Sequence, residues 1–136
     1  LVGVTGTNGK STVAILAAAM LGEATEPAGY IGTLGYQLDG QPFGLSENLA
    51  AGRTTPEASD FFAVLRAMRQ AGARAVAMEV SSHALAQHRV DGAQFDVGVF
   101  TNLTRDHFDY HRDFEDYSRA KRRLFDGTSW PGRAGC

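Results

Sequence analysis

Gly6-Thr7-Asn8-Gly9-Lys10-Ser11-Thr12 carries the sharpest chemical signal in this 136-residue chain. A β-rich run precedes it and a helical run follows. In that setting glycines let backbone N–H groups turn toward phosphate oxygens, and the start of the helix adds partial positive charge. Lys10 can then reach the terminal phosphates of a nucleotide, and the Ser11 hydroxyl can ligate Mg2+. The strict phosphate-loop pattern needs a glycine where Val4 stands, and Gly3 lies one residue too early. The departure leaves intact the Gly-Lys-Ser end that bears the chemistry. Without flanking elements, the same letters would describe only a glycine-rich turn.

Glu79 closes the apolar run 73–80. In open α/β sheets ligands bind beyond the carboxyl ends of the strands, so a carboxylate there can face a Mg2+ that Ser11 also contacts. Taken alone it would be a solvated charge at a strand end. A denser cluster, Asn102-Leu103-Thr104-Arg105-Asp106-His107-Phe108-Asp109-Tyr110-His111, follows the next β-run. His107 and His111 are four apart and would share a helix face, so zinc has to be weighed. No glutamate occupies the catalytic position of a His-Glu-x-x-His site, and the one cysteine, Cys136, is remote in sequence. Oxygen-rich surroundings favour magnesium instead. His83, His88 and His111, taken singly, suit packing or surface roles as well as chemistry.

Lys121 stands in an unexpected place. Tyr117, Lys121, Leu124 and Phe125 follow i, i+4, i+7, i+8 spacing, so the lysine shares an apolar helical stripe. Either it sits at the stripe edge and snorkels to water, or it is buried. Burial disfavours the ammonium form. A neutral amine can capture CO2 and become a carbamate, an anionic group able to bind Mg2+.

The elements that must position these groups alternate between β-rich and helical runs. That is the pattern of an α/β fold with a mostly parallel sheet flanked by helices. A first strand over 1–5 leads through the loop to a helix over 11–21, apolar nearly all round and therefore expected to be buried, with Gly22 ending it. Runs 30–33 and 36–38, with the turn Asp39-Gly40, predict a small antiparallel excursion. Residues 44–53 read as a loop. Thr55 as N-cap and Pro56 at the first helical position start a helix with Phe61, Leu65 and Met68 on one stripe, ended by Gly72. Residues 73–80 suit a strand buried on both faces. A short helix over 82–88, a buried strand over 97–101 and a helix over 114–125 complete the set.

Bulk properties narrow the function classes. The length fits one domain, and a hydrophobic fraction of 43% is ordinary for a globular chain. A net charge of -2 with no basic stripe argues against nucleic-acid binding. No apolar run approaches the ~18 residues of a membrane span. A single cysteine agrees with a reducing cytosol, so a cytoplasmic location is expected. The opening at Leu1 and the turn-like close at 130–136 are expected to be cuts through a longer protein.

Four ordered segments together resemble the Mur ligases: G-T-N-G-K-S at 6–11, A-M-E-V-S-S-H-A-L-A-Q-H-R-V at 77–90, N-L-T-R-D-H-F-D-Y-H at 102–111 and Y-S-R-A-K-R-R-L-F at 117–125. The run R-T-T-P at 53–56, with the 81–90 stretch, is most similar to the MurE type. Such enzymes add the third residue of the peptidoglycan stem peptide to UDP-N-acetylmuramoyl-L-alanyl-D-glutamate. The resemblance implies that the chain is a truncated central, ATP-binding domain, without the N-terminal UDP-binding and C-terminal domains. It implies that Gly6, Thr7, Asn8, Gly9, Lys10, Ser11 and Thr12 hold ATP, with Asn102 near the nucleotide. Ser11 and Glu79 would bind one Mg2+, and His107 with carbamylated Lys121 a second. Thr54, Thr55, Ser81, Gln87 and Arg89 match positions that contact the UDP-muramoyl-dipeptide. The implied reaction moves the γ-phosphoryl group to the D-glutamyl side-chain carboxylate, and the amine of a free amino acid then displaces phosphate. Lys10, Glu79, His107 and Lys121 would carry it.

Three alternatives stay open at this level. Another ligase of the superfamily, of folylpolyglutamate or cyanophycin type, would share the loop and the lysine but lack R-T-T-P with the 81–90 stretch. A P-loop kinase or NTPase would not need Lys121 on an apolar stripe. A non-catalytic nucleotide-binding module is the third. A chain missing both flanking domains is expected not to complete catalysis alone, and missing strands would leave apolar edges open.

Overall fold

The computed structural model describes residues 1–25, 27–44, 53–104 and 110–126. The order along the chain is β1 (Val2–Thr5), α1 (Lys10–Thr25), β2 (Ala28–Gly32), β3 (Gly35–Leu38), β4 (Gln41–Pro42), α2 (Ala58–Gln70), β5 (Ala75–Glu79), α3 (Ser82–Ala86), β6 (Val97–Phe100) and α4 (Phe114–Arg122). The six strands form one sheet in the order β4-β3-β2-β5-β1-β6. β1 pairs in parallel with β5 and β6, and β2 with β5. β3 and β4 continue the sheet as the expected antiparallel excursion.

Strand parity decides which side chains reach which layer, because successive residues point to opposite faces. Along β5, Val76 and Met78, followed by Val80, join Phe61, Val64 and Met68 of α2 and Leu85 of α3 in one core. Ala77 faces the other way, with Val4, Tyr30, Ala14 and Ala18, beneath α1. By the same alternation Glu79 belongs to the α1 side. Tyr30 pairs in register with Ala77, two residues before Glu79.

Several expectations need correction. α1 runs through Gly22 to Thr25. A Cβ at Gly22 would lie 3.9 Å from Ala28 Cβ and 3.7 Å from Asp39 Oδ1. These are ordinary van der Waals distances, so the glycine is tolerated inside the helix at a propensity cost of about 1 kcal/mol rather than ending it. Nor is α1 buried all round. Ala14 and Ala18 face the sheet, whereas Leu16 and Met20 are 58% and 73% exposed. α2 begins at Ala58 with Glu57 as N-cap and no capping side chain. The Thr55 hydroxyl is engaged elsewhere, donating to the Glu79 carbonyl at 2.9 Å and accepting from the Ser81 N–H at 3.0 Å. In α2 the buried set is Phe61, Val64 and Met68, with Leu65 only packed against that core. Gly72 follows the helix at φ +97°. β6 is not a buried strand: among the described strands it is an edge, and Val97 and Phe100 are about half exposed. Most of the 44–53 loop lies outside the described residues.

Candidate functional site

The loop after β1 is held by its neighbours before any ligand is considered. Gly6 has φ +147°, and a Cβ there would fall 1.9 Å from Thr101 Oγ1, so the turn accepts only glycine. Thr7 N donates to the Asn102 carbonyl at 3.0 Å, and Asn8 N to Asn102 Oδ1 at 2.9 Å. Asn102 Nδ2 and Thr101 Oγ1 donate back to the Asn8 carbonyl at 3.1 Å and 2.7 Å. This narrows the sequence picture of inward-turned amides. The amides of Thr7 and Asn8 are engaged by Asn102, which makes the first turn of α1 the better placed set of donors for an anion. The N–H groups of Lys10, Ser11 and Thr12 have no acceptor within that helix, and the helix dipole adds to them.

Two lysines meet at one carbonyl. Lys10 Nζ donates to the carbonyls of Gly6 and Thr7 at 3.0 Å and 2.9 Å. Lys121 Nζ, from α4, donates to the same Gly6 carbonyl at 2.8 Å. Lys121 is 2% exposed and its Nζ lies 4.5 Å from the centroid of the Tyr117 ring. The Tyr117 hydroxyl in turn hydrogen-bonds Thr7 Oγ1 at 2.9 Å, which ties α4 to the loop. Asp113 caps α4 by accepting from Asp116 N at 2.7 Å.

Glu79 is 1% exposed. Its Oε1 accepts from the Tyr30 hydroxyl at 2.6 Å and from Thr33 N at 2.9 Å, and its Oε2 from Thr33 Oγ1 at 3.2 Å. Ser11 also lies near enough to the Tyr30 hydroxyl to influence it, so Ser11 and Glu79 share a neighbour. Burial first, then the hydrogen bond and charge of Glu79, push the Tyr30 phenol well above its ordinary value. Ser11 Oγ and the Glu79 carboxylate would together make an oxygen-only donor set, of the kind that suits a hard cation such as Mg2+. Among the described residues no three His, Cys, Asp or Glu side chains gather as metal ligands.

The residues matched to the muramoyl substrate lie beside this corner. Thr33 Oγ1 is 3.1 Å from Thr54 Oγ1. Ser81 caps α3 by accepting from Ala84 N at 3.1 Å. Arg89 directs Nε and Nη2 to Gln87 Oε1 and Nη1 to the Thr55 carbonyl at 3.1 Å. It also pairs with Glu57 at 3.2 Å, and Glu57 pairs with Arg53. Burial, then the nearby Arg53 charge, lowers the Arg89 guanidinium from its ordinary value.

His107 lies outside the described residues. His111 is 2% exposed, bonds Ser82 Oγ at 2.9 Å and packs against Tyr117 and His83. His83 stacks on Tyr110, and His88 bonds Asp91 at 2.6 Å. Sequence reasoning missed Tyr30, Thr33, Glu57, Arg53 and Tyr117. Tyr30 gave no signal because a tyrosine in a strand is ordinary core material; only the register with β5 brings it to Glu79.

The arrangement joins a helix N-terminus, two amines and an oxygen-ligand corner at the carboxyl ends of β1, β2 and β5. It can gather and polarise a polyphosphate. A family description, Mur ligase middle domain, matches residues 4–134. The UDP-N-acetylmuramoyl-L-alanyl-D-glutamate--2,6-diaminopimelate ligase of Geobacter metallireducens is 52% identical over 125 residues, 92% of this chain and 23% of that protein. The ligase of the same name from Pseudomonas aeruginosa is 51% identical over 133 residues, 97% of this chain and 25% of that one. A solved structure of such a ligase superposes with TM-score 0.78 at 35% identity, covering 94% of this chain and 24% of its own. Escherichia coli FolC, solved with DHPP and ADP, superposes with TM-score 0.67 at 25% identity, covering 91% and 34%. The chain thus spans about a quarter of the length of the curated relatives it matches.

Proposed function

Because the chain belongs to the Mur ligase family and matches its middle domain, we propose that it is the ATP-binding part of a peptidoglycan-building ligase. That enzyme adds the third amino acid to UDP-N-acetylmuramoyl-L-alanyl-D-glutamate in the cytoplasm. The observation that carries the reading is the convergence of Lys10 and Lys121 on the Gly6 carbonyl, at the helix terminus flanked by Ser11 and Glu79. The relatives' names make 2,6-diaminopimelate the amino acid to test first. Grip on the uridine nucleotide and selection of the amino acid are assigned to the remainder of the full-length protein.

In this reading the first-turn amides of α1 receive phosphate oxygens, and Lys10 exchanges its loop carbonyls for the terminal phosphates. Ser11 and Glu79 would hold one Mg2+, and His107 with a Lys121 carbamate a second. When bound, Mg2+ supplies charge neutralisation and polarises the phosphoryl oxygens. The carbamate forms when the neutral Nζ attacks CO2 and releases a proton; the remaining N–H can keep its bond to Gly6. Arg89 and Gln87, with Thr54, Thr55 and Ser81, orient the substrate so that its side-chain carboxylate lies in line with the γ-phosphorus. Carboxylate oxygen attacks, ADP leaves, and an acyl phosphate results. The incoming amine attacks the acyl carbon, loses a proton, and inorganic phosphate departs as the amide forms.

A folate-type ligase of the same superfamily is the second reading, favoured only by the likeness to FolC. Its 25% identity falls well below the 51% and 52% shared with the diaminopimelate ligases. The test uses the full-length protein with ATP and Mg2+. ADP formation that requires both the UDP-muramoyl-dipeptide and 2,6-diaminopimelate, with a product of the expected mass, supports the proposal. ADP formation indifferent to both would overturn it.

A further inference from the structure

Resting on that reading, we propose that Tyr30 is a positioning residue that selects which oxygen of Glu79 is presented to a divalent cation. Tyr30 is 2% exposed in β2, packed with Val4, Ala14, Ala18 and Ala77 beneath α1. Its ring is therefore held from all sides, and its hydroxyl has a fixed place. That hydroxyl donates to Glu79 Oε1 at 2.6 Å, and Thr33 N donates to the same oxygen at 2.9 Å. Oε1 is thus doubly engaged.

Oε2 differs. Its one partner among the described residues is Thr33 Oγ1 at 3.2 Å, beyond the usual O–H···O range. That hydroxyl has a second acceptor in Thr54 Oγ1 at 3.1 Å, so it can leave Oε2 without being stranded. Oε2 is the oxygen the carboxylate can give away. Gly32 keeps the space for this pairing. A Cβ there would fall 2.3 Å from Glu79 Oε1 and 2.3 Å from the Tyr30 hydroxyl oxygen. An unclamped glutamate rotates about its terminal bond and offers either oxygen. The clamped one offers a single oxygen, already oriented. Outer groups that orient a ligand in this way typically govern metal affinity by about 10–100-fold.

The experiment measures Mn2+ binding to the full-length protein by electron paramagnetic resonance, with a non-hydrolysable ATP analogue present. Tyr30→Phe is expected to weaken Mn2+ binding about tenfold or more, while thermal melting shows the fold intact and kcat at saturating metal returns toward that of the parent. Thr33→Val keeps the amide donor and is expected to leave Mn2+ affinity within about twofold, because at Glu79 it removes only the weak contact to Oε2; its other loss, the bond to Thr54 Oγ1, lies outside the clamp. Unchanged affinity in Tyr30→Phe, with loss in Glu79→Gln, would overturn the role of Tyr30 and leave the ligase reading standing. An equal loss in Thr33→Val would also overturn it. Unchanged affinity in Glu79→Gln would remove the cation site itself and the inference with it.

Discussion

The corner around Gly6 and the corner around Arg89 border the same sheet end, yet they are built from different interactions. At Gly6, hydrogen bonds hold the loop: Asn102 accepts from the amides of Thr7 and Asn8, Lys121 donates to the Gly6 carbonyl, and the Tyr117 hydroxyl bonds the Thr7 side chain. At Arg89, a chain of charges runs through Glu57 to Arg53, whose side chains are 47% and 57% exposed. Exposed pairs contribute about 0.2–1 kcal/mol and are screened by salt. At Gly6 the bonds of Lys121 and Tyr117 are buried, and buried hydrogen bonds are stronger and costly to leave unmade. The first corner is thus a preformed cradle. The second is an exchangeable one, in which Glu57 occupies a guanidinium that, under the proposed function, a substrate anion would claim.

The contrast breaks most sharply at Lys10. In the full-length enzyme Lys10→Ala should lower kcat by about a thousandfold, on the scale of losing one preorganised donor to developing charge. Affinity for the UDP-muramoyl-dipeptide, read by calorimetry, should barely move. Gly6→Ala should come next. The 1.9 Å approach to Thr101 Oγ1 at φ +147° predicts a loss of about 3 kcal/mol in urea unfolding. Arg89→Ala should act on the other corner alone, raising substrate KM about tenfold or more with kcat within a few-fold. Its effect should shrink as NaCl rises, whereas that of Gly6→Ala should not.

The smallest effect belongs to the pair of Arg112 and Asp116 at the start of α4. Hydrogen bonds from Arg112 hold the Asp116 carboxyl below its ordinary value. A depressed carboxylate contributes stability that is present above its unfolded value and lost as pH falls through the folded one. Carbonyl NMR should show Asp116 titrating below ordinary aspartates, and Arg112→Ala should move it back up.

Much of this was legible in the sequence, and the gaps have physical causes. The Gly-Lys-Ser end, Glu79 at a strand terminus and Lys121 on an apolar stripe are local patterns, and local patterns survive in one dimension. The parallel sheet followed from alternating periodicities. Tyr30 and Thr33 matter only through pairing between β2 and β5, which no window of sequence contains. Thr55 looked like a helix cap because its type and place fit one. A long-range bond to the Glu79 carbonyl took its hydroxyl, and α2 starts at Ala58. α1 was expected to be buried because composition alone cannot tell one covered face from two.

The central claim is that this cradle serves transfer of a phosphoryl group to a carboxylate. The direct test supplies the full-length enzyme with substrate labelled with 18O in the D-glutamyl side-chain carboxylate and analyses the released phosphate by mass spectrometry. An acyl phosphate requires one labelled oxygen in each phosphate released. Phosphate without label would mean that water attacks the γ-phosphorus, which contradicts the account.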